Sequence, residues 1–203
     1  QLVLDEYADK VGEIISGVVQ RMEGRDVIVS LGKGEAVMPF HEQVSMEKYR
    51  VGQQLKFIIL KLEQERRGPE IVVSRSDVEL LKGLFELEVP EIYNGIIEIK
   101  EIVRESGSRS KIAVHSNQDG VDAVGACVGL RGLRIQNVVN ELLGEKIDVI
   151  EWSEDPVEFI HKDKKIFAPS GATEYMSKKI SKEDYLKHMP NLGKVKKNKN
   201  PWE

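Results

Sequence analysis

Two glycines separated by two residues lie between two apolar segments of helical periodicity, and this arrangement strongly limits the folds open to the chain. The stretch reads Val128-Gly129-Leu130-Arg131-Gly132-Leu133-Arg134. Small apolar residues over 121–128 predict a short helix before it, and the spacing of apolar residues over 133–143 predicts a second helix after it. Paired glycines allow a tight turn and a close approach between backbone and ligand. The sequence therefore predicts a helix, a glycine turn and another helix.

The elements around this turn follow the order α-β-β-α-α-β over residues 77–156. Ser76 or Asp77 is a suitable N-cap for the first helix, and Pro90 ends that helix. Alternating apolar residues predict strands over 96–103, 111–116 and 147–152. Because a glycine turn between two helices is the loop with which KH domains clamp single-stranded RNA, the segment is predicted to be a KH domain.

A different pattern precedes this segment, because residues 11–76 read as short β-branched stretches separated by turns. Strands are predicted over 13–24, 26–31, 35–40, 55–62 and 71–74, with a charged loop over 63–69. Five short strands in so few residues favour a closed barrel, since closure removes exposed strand edges. The expected fold class is α+β, with a five-stranded OB-fold barrel over 11–76 followed by a KH domain over 77–156.

The glycine turn is the main candidate binding site. Its residues are Gly129, Leu130, Arg131 and Gly132. The helix that follows presents backbone N–H groups and the positive end of its dipole to an anion, and Arg131 and Arg134 add charges that can pair with phosphate. An ordinary turn between two helices is the alternative interpretation.

Charged residues on either side of the turn are interpreted from the local numbers of basic and acidic residues. Residues 104–134 are locally basic, and Arg109 and Lys111 stand at the start of the second KH strand. We expect both side chains to contribute to RNA binding, because phosphate binding depends on local charge. The acidic residues of 140–160 are predicted to form a solvated face.

The barrel offers a second candidate site at the end of its third strand. Phe40 and His41 close that strand, and Arg21, Arg25 and Lys33 lie in neighbouring strands and turns. OB barrels bind single strands by stacking bases on exposed aromatic rings beside basic residues. The alternative is that Phe40 belongs to the core and that the arginines are merely solvated.

The sequence contains no recognisable catalytic or metal-binding motif. Its four histidines are scattered, and the HExxH and CxxC spacings of zinc sites are absent. The P-loop, GxGxxG and GxSxG motifs are absent as well. The single cysteine, Cys127, lies in an apolar helix and is expected to be buried and inert. The chain is therefore predicted to be non-enzymatic and to need neither cofactor nor metal.

The end of the chain differs from the rest in its charge. Residues 161–203 contain eleven lysines and five acidic residues, although the whole chain has a net charge of −4. We expect a basic tail over 157–203, made of disordered segments or short helices, that contacts RNA through charge.

Residues 1–10 are expected to be a linker or the end of a preceding domain. The lack of a signal-peptide pattern or a long apolar run favours a cytoplasmic protein without a membrane segment.

Four segments resemble the NusA family of bacterial transcription factors. These segments are 121–136, 144–152, Ser108 to Val114 and Val72 to Arg75. The first three are similar to the first KH domain of that family, and the last is similar to the end of its S1-type OB barrel. The resemblance covers roughly residues 11–160 and implies that the KH domain is of the bacterial type, type II.

The resemblance implies a function as well as a fold. Members of this family are non-catalytic, RNA-binding regulators of transcription elongation, pausing, termination and antitermination. The implied partners are nascent single-stranded RNA, RNA polymerase and other antitermination factors, and the implied state is a monomer. The polymerase-binding N-terminal domain and the second KH domain of the family are not found in this sequence.

Two other kinds of protein combine the same domains. An exosome cap subunit, which threads RNA, also places an OB barrel before a KH domain, but the intact glycine turn and the segment 144–152 favour the NusA interpretation. An RNA-processing enzyme of the polynucleotide phosphorylase kind places the KH domain before the barrel and needs a catalytic core that this sequence lacks.

Overall fold

The computed structural model describes residues 7–65 and 68–153. These residues form a barrel and a helix-covered sheet that are joined by hydrogen bonds. The basic tail predicted over 157–203 lies outside the described residues, as do the first six residues of the linker predicted over 1–10.

A closed five-stranded barrel forms the first half of the described chain. Its strands are β1 (Ile14–Glu23), β2 (Asp26–Ser30), β3 (Glu35–Met38), β4 (Gln54–Glu65) and β5 (Gly68–Ser74). They are joined in the order β1-β2-β3-β5-β4, and β4 pairs with β1 to close the barrel. The pairing of β3 with β5 is parallel, with Ala36 beside Ile71. The predicted five-stranded barrel is confirmed.

The barrel interior is filled by alternate residues of its strands. Val27 and Val29 of β2 and Phe57 and Ile59 of β4 are buried in one apolar cluster, because successive side chains of a strand point to opposite faces. Gly17 of β1 lies where no side chain fits, since an added Cβ would come within 2.4 Å of Cγ1 of Val29. The glycine therefore lets β1 pass close to the side chains of β2.

Two strand boundaries of the barrel differ from the prediction. In the charged stretch 63–69, expected as a loop, residues 63–65 belong to β4 and residues 68–69 belong to β5. Backbone hydrogen bonds extend the ladder there although the side chains are no longer apolar, so the apolar pattern ends before the strands do. The third strand ends at Met38, because Pro39 cannot donate a ladder hydrogen bond, and Phe40–Glu42 form a 3-10 turn.

The second half of the described chain is a three-stranded sheet covered by helices. Its elements are α1 (Val78–Glu88), α2 (Pro90–Tyr93), β6 (Ile97–Glu105), β7 (Arg109–Ser116), α3 (Ala123–Val128), α4 (Leu133–Glu141) and β8 (Lys146–Glu151). The sheet order is β6-β7-β8, with β7 parallel to β8. The predicted KH fold is confirmed. The short α2 is an addition that begins at Pro90, a residue suited to the first position of a helix.

The helices cover one face of this sheet. Leu84 of α1, Ile112 of β7 and Val138 of α4 are buried in one apolar cluster. The first helix begins as predicted, because the Asp77 carboxylate accepts a hydrogen bond from the backbone N–H of Glu79 at 2.8 Å. The sheet and this cluster together hold α3 and α4 in place.

A fully buried arginine joins the barrel to the KH domain. The Nε and Nη2 atoms of Arg75 donate to the Glu47 carboxylate at 2.6 and 2.7 Å, and Nη1 donates to the Lys56 carbonyl at 2.8 Å. Nη2 also donates to the carbonyl of Glu141, the last residue of α4, at 2.8 Å. Burial lowers the pKa of Arg75, but Glu47 and Glu141 raise it more, so the pKa stays above its ordinary value. A charged guanidinium thus attaches α4 to the barrel.

A second buried ion pair lies within the KH domain. The carboxylate of Glu145, just before β8, accepts from Arg104 at 2.9 Å, from the Ser110 hydroxyl at 2.6 Å and from the Gly107 N–H at 2.9 Å. Burial raises the pKa of Glu145, but these donors lower it more, so the pKa lies below its ordinary value. The pair connects β6, β7 and the turn that follows α4.

Two acidic residues of the stretch 140–160, Glu141 and Glu145, are therefore not part of the solvated face that the composition predicts. Glu141 contacts the buried Arg75, and Glu145 contacts the buried Arg104. These partners stand 66 and 41 residues apart along the chain. A local count of charges does not show such distant pairing, and that is why the prediction is wrong for these two residues.

Glu145→Gln should destabilise the KH domain by about 3 kcal/mol or more at neutral pH, because the buried Arg104 loses its counter-charge. The lowered pKa of Glu145 adds a pH dependence. Its contribution is complete above the ordinary glutamate value of 4.5 and is lost as the pH falls through the lower value of the folded state. Chemical denaturation at several pH values should show that parent and variant converge in acid.

Glu98→Gln is the matched control, since Glu98 is exposed and pairs with Lys100 on the same strand as Arg104. Its cost should stay below about 1 kcal/mol. An equally small cost for Glu145→Gln, or a cost that does not decline in acid, would contradict this account of the ion pair.

Candidate nucleic-acid interface

The predicted glycine turn, here called the GXXG loop (Gly129–Gly132), connects α3 to α4 through a short 3-10 turn. Three of its residues have positive φ: 74° at Gly129, 53° at Arg131 and 77° at Gly132. Such a backbone costs about 1–3 kcal/mol at a residue other than glycine, and strain of this kind clusters at ligand-binding sites. The backbone at Arg131 therefore marks this loop as a candidate ligand-binding site.

Gly129 is required for two reasons. Its φ of 74° and ψ of 175° fall in a region that is essentially restricted to glycine. In addition, an added Cβ would lie 2.7 Å from Cγ of Arg134. At Gly132 an added Cβ would meet nothing closer than Ile135, at 4.0 Å, so only the positive φ demands glycine there. The close approach of α4 to the end of α3 depends on Gly129.

The side chains of the loop point into solvent. Leu130 is 85% exposed, and Leu133, the first residue of α4, is 64% exposed. Arg131 is also exposed, and within residues 7–65 and 68–153 it has no hydrogen-bond or ion-pair partner. The N-terminus of α4 has no side-chain cap, so its backbone N–H groups and dipole can face an anion. The loop combines an unpaired guanidinium, a helix N-terminus and exposed apolar side chains.

Arg134 lies in a different environment from the one predicted. Its Nη1 atom donates to the Glu91 carboxylate in α2 at 3.0 Å and to the Ala126 carbonyl in α3 at 2.7 Å. Its aliphatic stem lies against Gly129. The guanidinium therefore ties α4 to both neighbouring helices, and the Glu91 carboxylate offsets its positive charge.

Arg109 and Lys111 lie away from the GXXG loop. Along β7 the side chains alternate, and Ile112 and Val114 pack in the cluster beneath the helices, so residues 109 and 111 face the other side of the sheet. Nε of Arg109 donates to the carboxylate of Asp148 in β8 at 2.7 Å. The structure does not bring these two basic residues together with the loop.

On the barrel, Phe40 is 52% exposed and stands outside the apolar core. The guanidinium of Arg25 stacks on its ring, with Cζ 3.5 Å from the ring centroid, in a cation–π contact. The backbone N–H of Phe40 donates to the Asp26 carboxylate at 3.0 Å, and His41 beside it is exposed. The interpretation that placed Phe40 in the core is wrong. We call Phe40, Arg25 and His41 the Phe40 platform.

Arg21 is held by acidic neighbours on the barrel surface. Its Nη1 and Nη2 atoms donate to the Glu35 carboxylate at 3.0 Å each, and its Nε donates to Glu23 at 2.7 Å. The hydrogen bonds with Glu35, and then those with Glu23, raise the pKa of Arg21. These carboxylates offset its positive charge, in contrast to the stacked guanidinium of Arg25.

The structure adds Leu133 to the surface of the GXXG loop and Arg25 to the Phe40 platform. The residue pattern of the loop does not mark Leu133 as a site residue, but Leu133 lies outside the apolar face formed by Ile135, Val138 and Leu142, and that offset is visible in the sequence. The sequence places Arg25 only in a turn that neighbours the strand of Phe40. Its stacking depends on the fold of the β1–β2 hairpin, because fifteen positions separate it from that ring.

Cys127 lies in α3, close to the loop, without being part of its surface. It is buried, and burial raises the pKa of its thiol to about 12, so the thiol stays protonated at neutral pH. The inert cysteine predicted from the sequence fits this environment. In the part of the chain that the structure describes, no group of three His, Cys, Asp or Glu side chains could hold a metal ion, and no helix could span a membrane.

Two family models match the chain. Residues 8–75 match the S1 RNA binding domain, and residues 75–152 match the NusA-like first KH domain. An S1 barrel followed by a KH domain with an open GXXG loop defines a class of RNA-binding proteins that combine both modules.

Curated relatives identify the family within this class. The transcription termination/antitermination protein NusA of Halalkalibacterium halodurans is 50% identical over 159 residues, which are 78% of this chain and 42% of the relative. The NusA proteins of Bacillus subtilis and Thermus thermophilus are 49% and 50% identical over 78% of this chain, and these matches cover 43% and 41% of the relatives.

In its S1 and KH domains, the chain belongs to the NusA family. The resemblance found in the sequence is confirmed, and the exosome cap interpretation is not favoured. The chain spans less than half the length of these curated relatives.

Gly129→Ala should cost more stability than Gly132→Ala. The second change meets only left-handed strain of about 1–2 kcal/mol. Gly129→Ala places alanine in a backbone conformation that is essentially restricted to glycine, and its Cβ clashes with the stem of Arg134. We therefore expect this change to destabilise the protein by about 3 kcal/mol or more. Chemical denaturation measures the free energy of unfolding of both variants. An equal loss of stability in the two variants would show that the close contact between Gly129 and the stem of Arg134 does not require glycine.

Proposed function

We propose that this chain is the RNA-binding part of a non-catalytic regulator of transcription elongation, pausing, termination and antitermination. The observation that carries the proposal is the GXXG loop, where an exposed Arg131 without a partner in the described residues stands beside the uncapped N-terminus of α4. The S1 and KH domains and the names of the curated relatives support it. Because the chain covers less than half of those relatives, the activity of the whole protein belongs to the proposal.

At the GXXG loop, the backbone of single-stranded RNA would lie across Gly129 and Gly132. These glycines have no side chain to keep the phosphodiester backbone away, so phosphate can reach the N–H groups at the start of α4. Arg131 supplies the charge that pairs with phosphate. The strained backbone of Arg131 is the cost of directing that guanidinium toward the ligand.

The exposed leucines of the loop would contact the non-phosphate part of the RNA. Leu130 and Leu133 together present an apolar surface on either side of Arg131. Apolar side chains in such a position can pack against the faces of unstacked bases, which single-stranded RNA exposes. Arg134 would support the loop through Glu91 and need not touch the RNA.

The Phe40 platform would bind a second part of the same strand. A half-exposed aromatic ring can stack on a base, and the adjacent Arg25 and His41 can approach the neighbouring phosphate. Arg21, Arg109 and Lys111 are proposed as secondary RNA contacts. For Arg21 and Arg109 a phosphate must compete with carboxylates that are already bound, so each should contribute less than Arg131.

The proposal extends to the partners of the protein. The relatives are named for transcription termination and antitermination, and a protein of that kind acts where nascent RNA leaves RNA polymerase. We therefore propose nascent RNA, RNA polymerase and other antitermination factors as partners, with a monomeric chain in the cytoplasm. Co-purification of RNA polymerase with the tagged protein from its native cell tests whether the polymerase is a partner.

The double change Leu130→Asp/Arg131→Asp should reduce affinity for single-stranded RNA by about 1–3 kcal/mol per lost contact, because two carboxylates then face phosphate. Fluorescence anisotropy with a labelled RNA measures the affinity. A thermal melt should show little change, since both side chains are exposed.

The matched control is Leu87→Asp/Lys82→Asp on α1. Leu87 is exposed, Lys82 is partly exposed, the two are of comparable chemistry, and the pair produces the same change in net charge. This control should bind RNA nearly as well as the parent. If the loop variant melts normally and binds as tightly as the control, the loop is only a turn between helices and the proposed function is wrong.

Phe40→Ala should weaken the binding of RNA that is long enough to reach the barrel by about 1–3 kcal/mol, the usual value of one base stacked on an aromatic ring. Phe40→Tyr keeps the ring and should bind like the parent. Fluorescence anisotropy titrations measure the affinity of both variants for the RNA. Equal loss in the alanine and tyrosine variants would show that the ring does not act by stacking.

A further inference from the structure

A cleft of about 470 Å³ lies between the barrel and the KH domain, outside both surfaces described above. The barrel side is formed by residues of the segment that follows the Phe40–Glu42 turn. The KH side is formed by the β6–β7 turn and the end of α4. Its principal lining residues are Met46, Glu47, Lys48, Arg50, Gly107 and Leu143.

The two walls of the cleft are held in a fixed relation. Gly107 of the β6–β7 turn lies so close to the barrel segment that an added Cβ would be 2.4 Å from Cγ1 of Val44. Arg75 attaches the barrel wall, through Glu47, to the carbonyl of Glu141 at the end of α4. The cleft is therefore a built feature of the domain junction.

The accessible charge of the cleft is positive. Its one carboxylate, on Glu47, accepts two hydrogen bonds from the buried Arg75 and is itself nearly inaccessible. Lys48 and Arg50 are exposed, and neither side chain has an ion-pair or hydrogen-bond partner among residues 7–65 and 68–153. Two cations thus remain for an anionic ligand.

The cleft also presents apolar surface next to these cations. Met46 is 72% exposed, and Leu143 is half exposed in a left-handed backbone conformation with φ of 53°. A flexible methionine beside a leucine suits a flat and variable partner such as a nucleobase. The juxtaposition of two unpaired cations with exposed apolar side chains fits a nucleotide better than a free inorganic anion.

The position of the cleft indicates which nucleotide-bearing ligand it would take. Helix α4 begins at the GXXG loop and ends at the cleft, and nine residues of helix span roughly 13 Å. The barrel wall begins only a few residues after the Phe40 platform. The cleft therefore lies at the opposite end of α4 from the GXXG loop and a few residues along the chain from the Phe40 platform.

We propose that this cleft is a third RNA subsite, which holds the single strand as it passes between the GXXG loop and the barrel. Lys48 and Arg50 pair with its phosphates, and Met46 and Leu143 contact a base. The inference rests on the proposed function, because it concerns the same RNA ligand. It assigns to the domain junction a binding role that neither module has alone.

The test compares Lys48→Glu/Arg50→Glu with the control Lys82→Glu/Lys100→Glu, which makes the same change in net charge at exposed lysines outside the cleft. Anisotropy is measured with a labelled single-stranded RNA of about 20 nucleotides, long enough to cover an OB-fold site and more. The cleft variant should lose about tenfold or more in affinity, and its salt slope should fall by roughly 1.4 because two phosphate contacts are lost. The control should change by less than about threefold.

Two further measurements keep the result interpretable. Thermal melts check that the cleft variant is folded, and Lys48→Ala/Arg50→Ala repeats the test without new negative charge. Photocrosslinking of 4-thiouridine-labelled RNA to the parent should yield peptides that contain Met46 or Leu143. Equal affinities of the cleft and control variants, or crosslinks confined to other segments, would overturn the inference.

The outcomes also separate this inference from the proposed function. If Leu130→Asp/Arg131→Asp abolishes binding while the cleft variants bind normally, the third subsite is wrong and the proposed function stands. If neither set of variants affects binding, both are wrong. If RNA binding is unaffected but a polyglutamate peptide binds the parent and not the cleft variant, the cleft is a protein-docking site and the inference is likewise overturned.

Discussion

The buried guanidinium of Arg75 is the interaction on which the arrangement of the two domains depends. A charge removed from water is tolerated only when carboxylates and carbonyls satisfy it, and here these groups come from a barrel loop, a barrel strand and the end of α4. Because Glu141 also accepts the backbone N–H of Lys56, the barrel and the KH helix share one polar network. The helix attached in this way is the one that begins at the GXXG loop.

The same helix explains how the loop keeps a strained shape. At its start, Arg134 bonds to Glu91 and to the Ala126 carbonyl, and its stem occupies the space that a side chain at residue 129 would need. These contacts compensate for the unfavourable backbone of Arg131, whose guanidinium then stays exposed. Arg134 therefore supports the loop, and Arg131 is the residue that we propose binds phosphate.

Local patterns in the sequence were sufficient for the fold and for the GXXG loop. The alternation in β2, the cap at Asp77 and the glycine spacing are properties of adjacent residues, so they could be predicted. The carboxylate partners of Arg75, Arg104 and Arg134 could not be predicted, because they lie 28 to 66 positions away and follow from tertiary packing. For the same reason the prediction of a solvated face is wrong for Glu141 and Glu145, and the contact of Arg134 with Glu91 is not visible in the sequence.

We propose that single-stranded RNA binds across the GXXG loop, and an NMR titration of the isotopically labelled chain with single-stranded RNA tests this binding site. The backbone amides of residues 129–133 should shift first and furthest, with smaller shifts at the Phe40 platform. The amides of Arg109 and Lys111 in β7, which are proposed as secondary contacts, should shift less than those of the loop. Saturable RNA binding that leaves the amides of residues 129–133 unshifted would contradict the account.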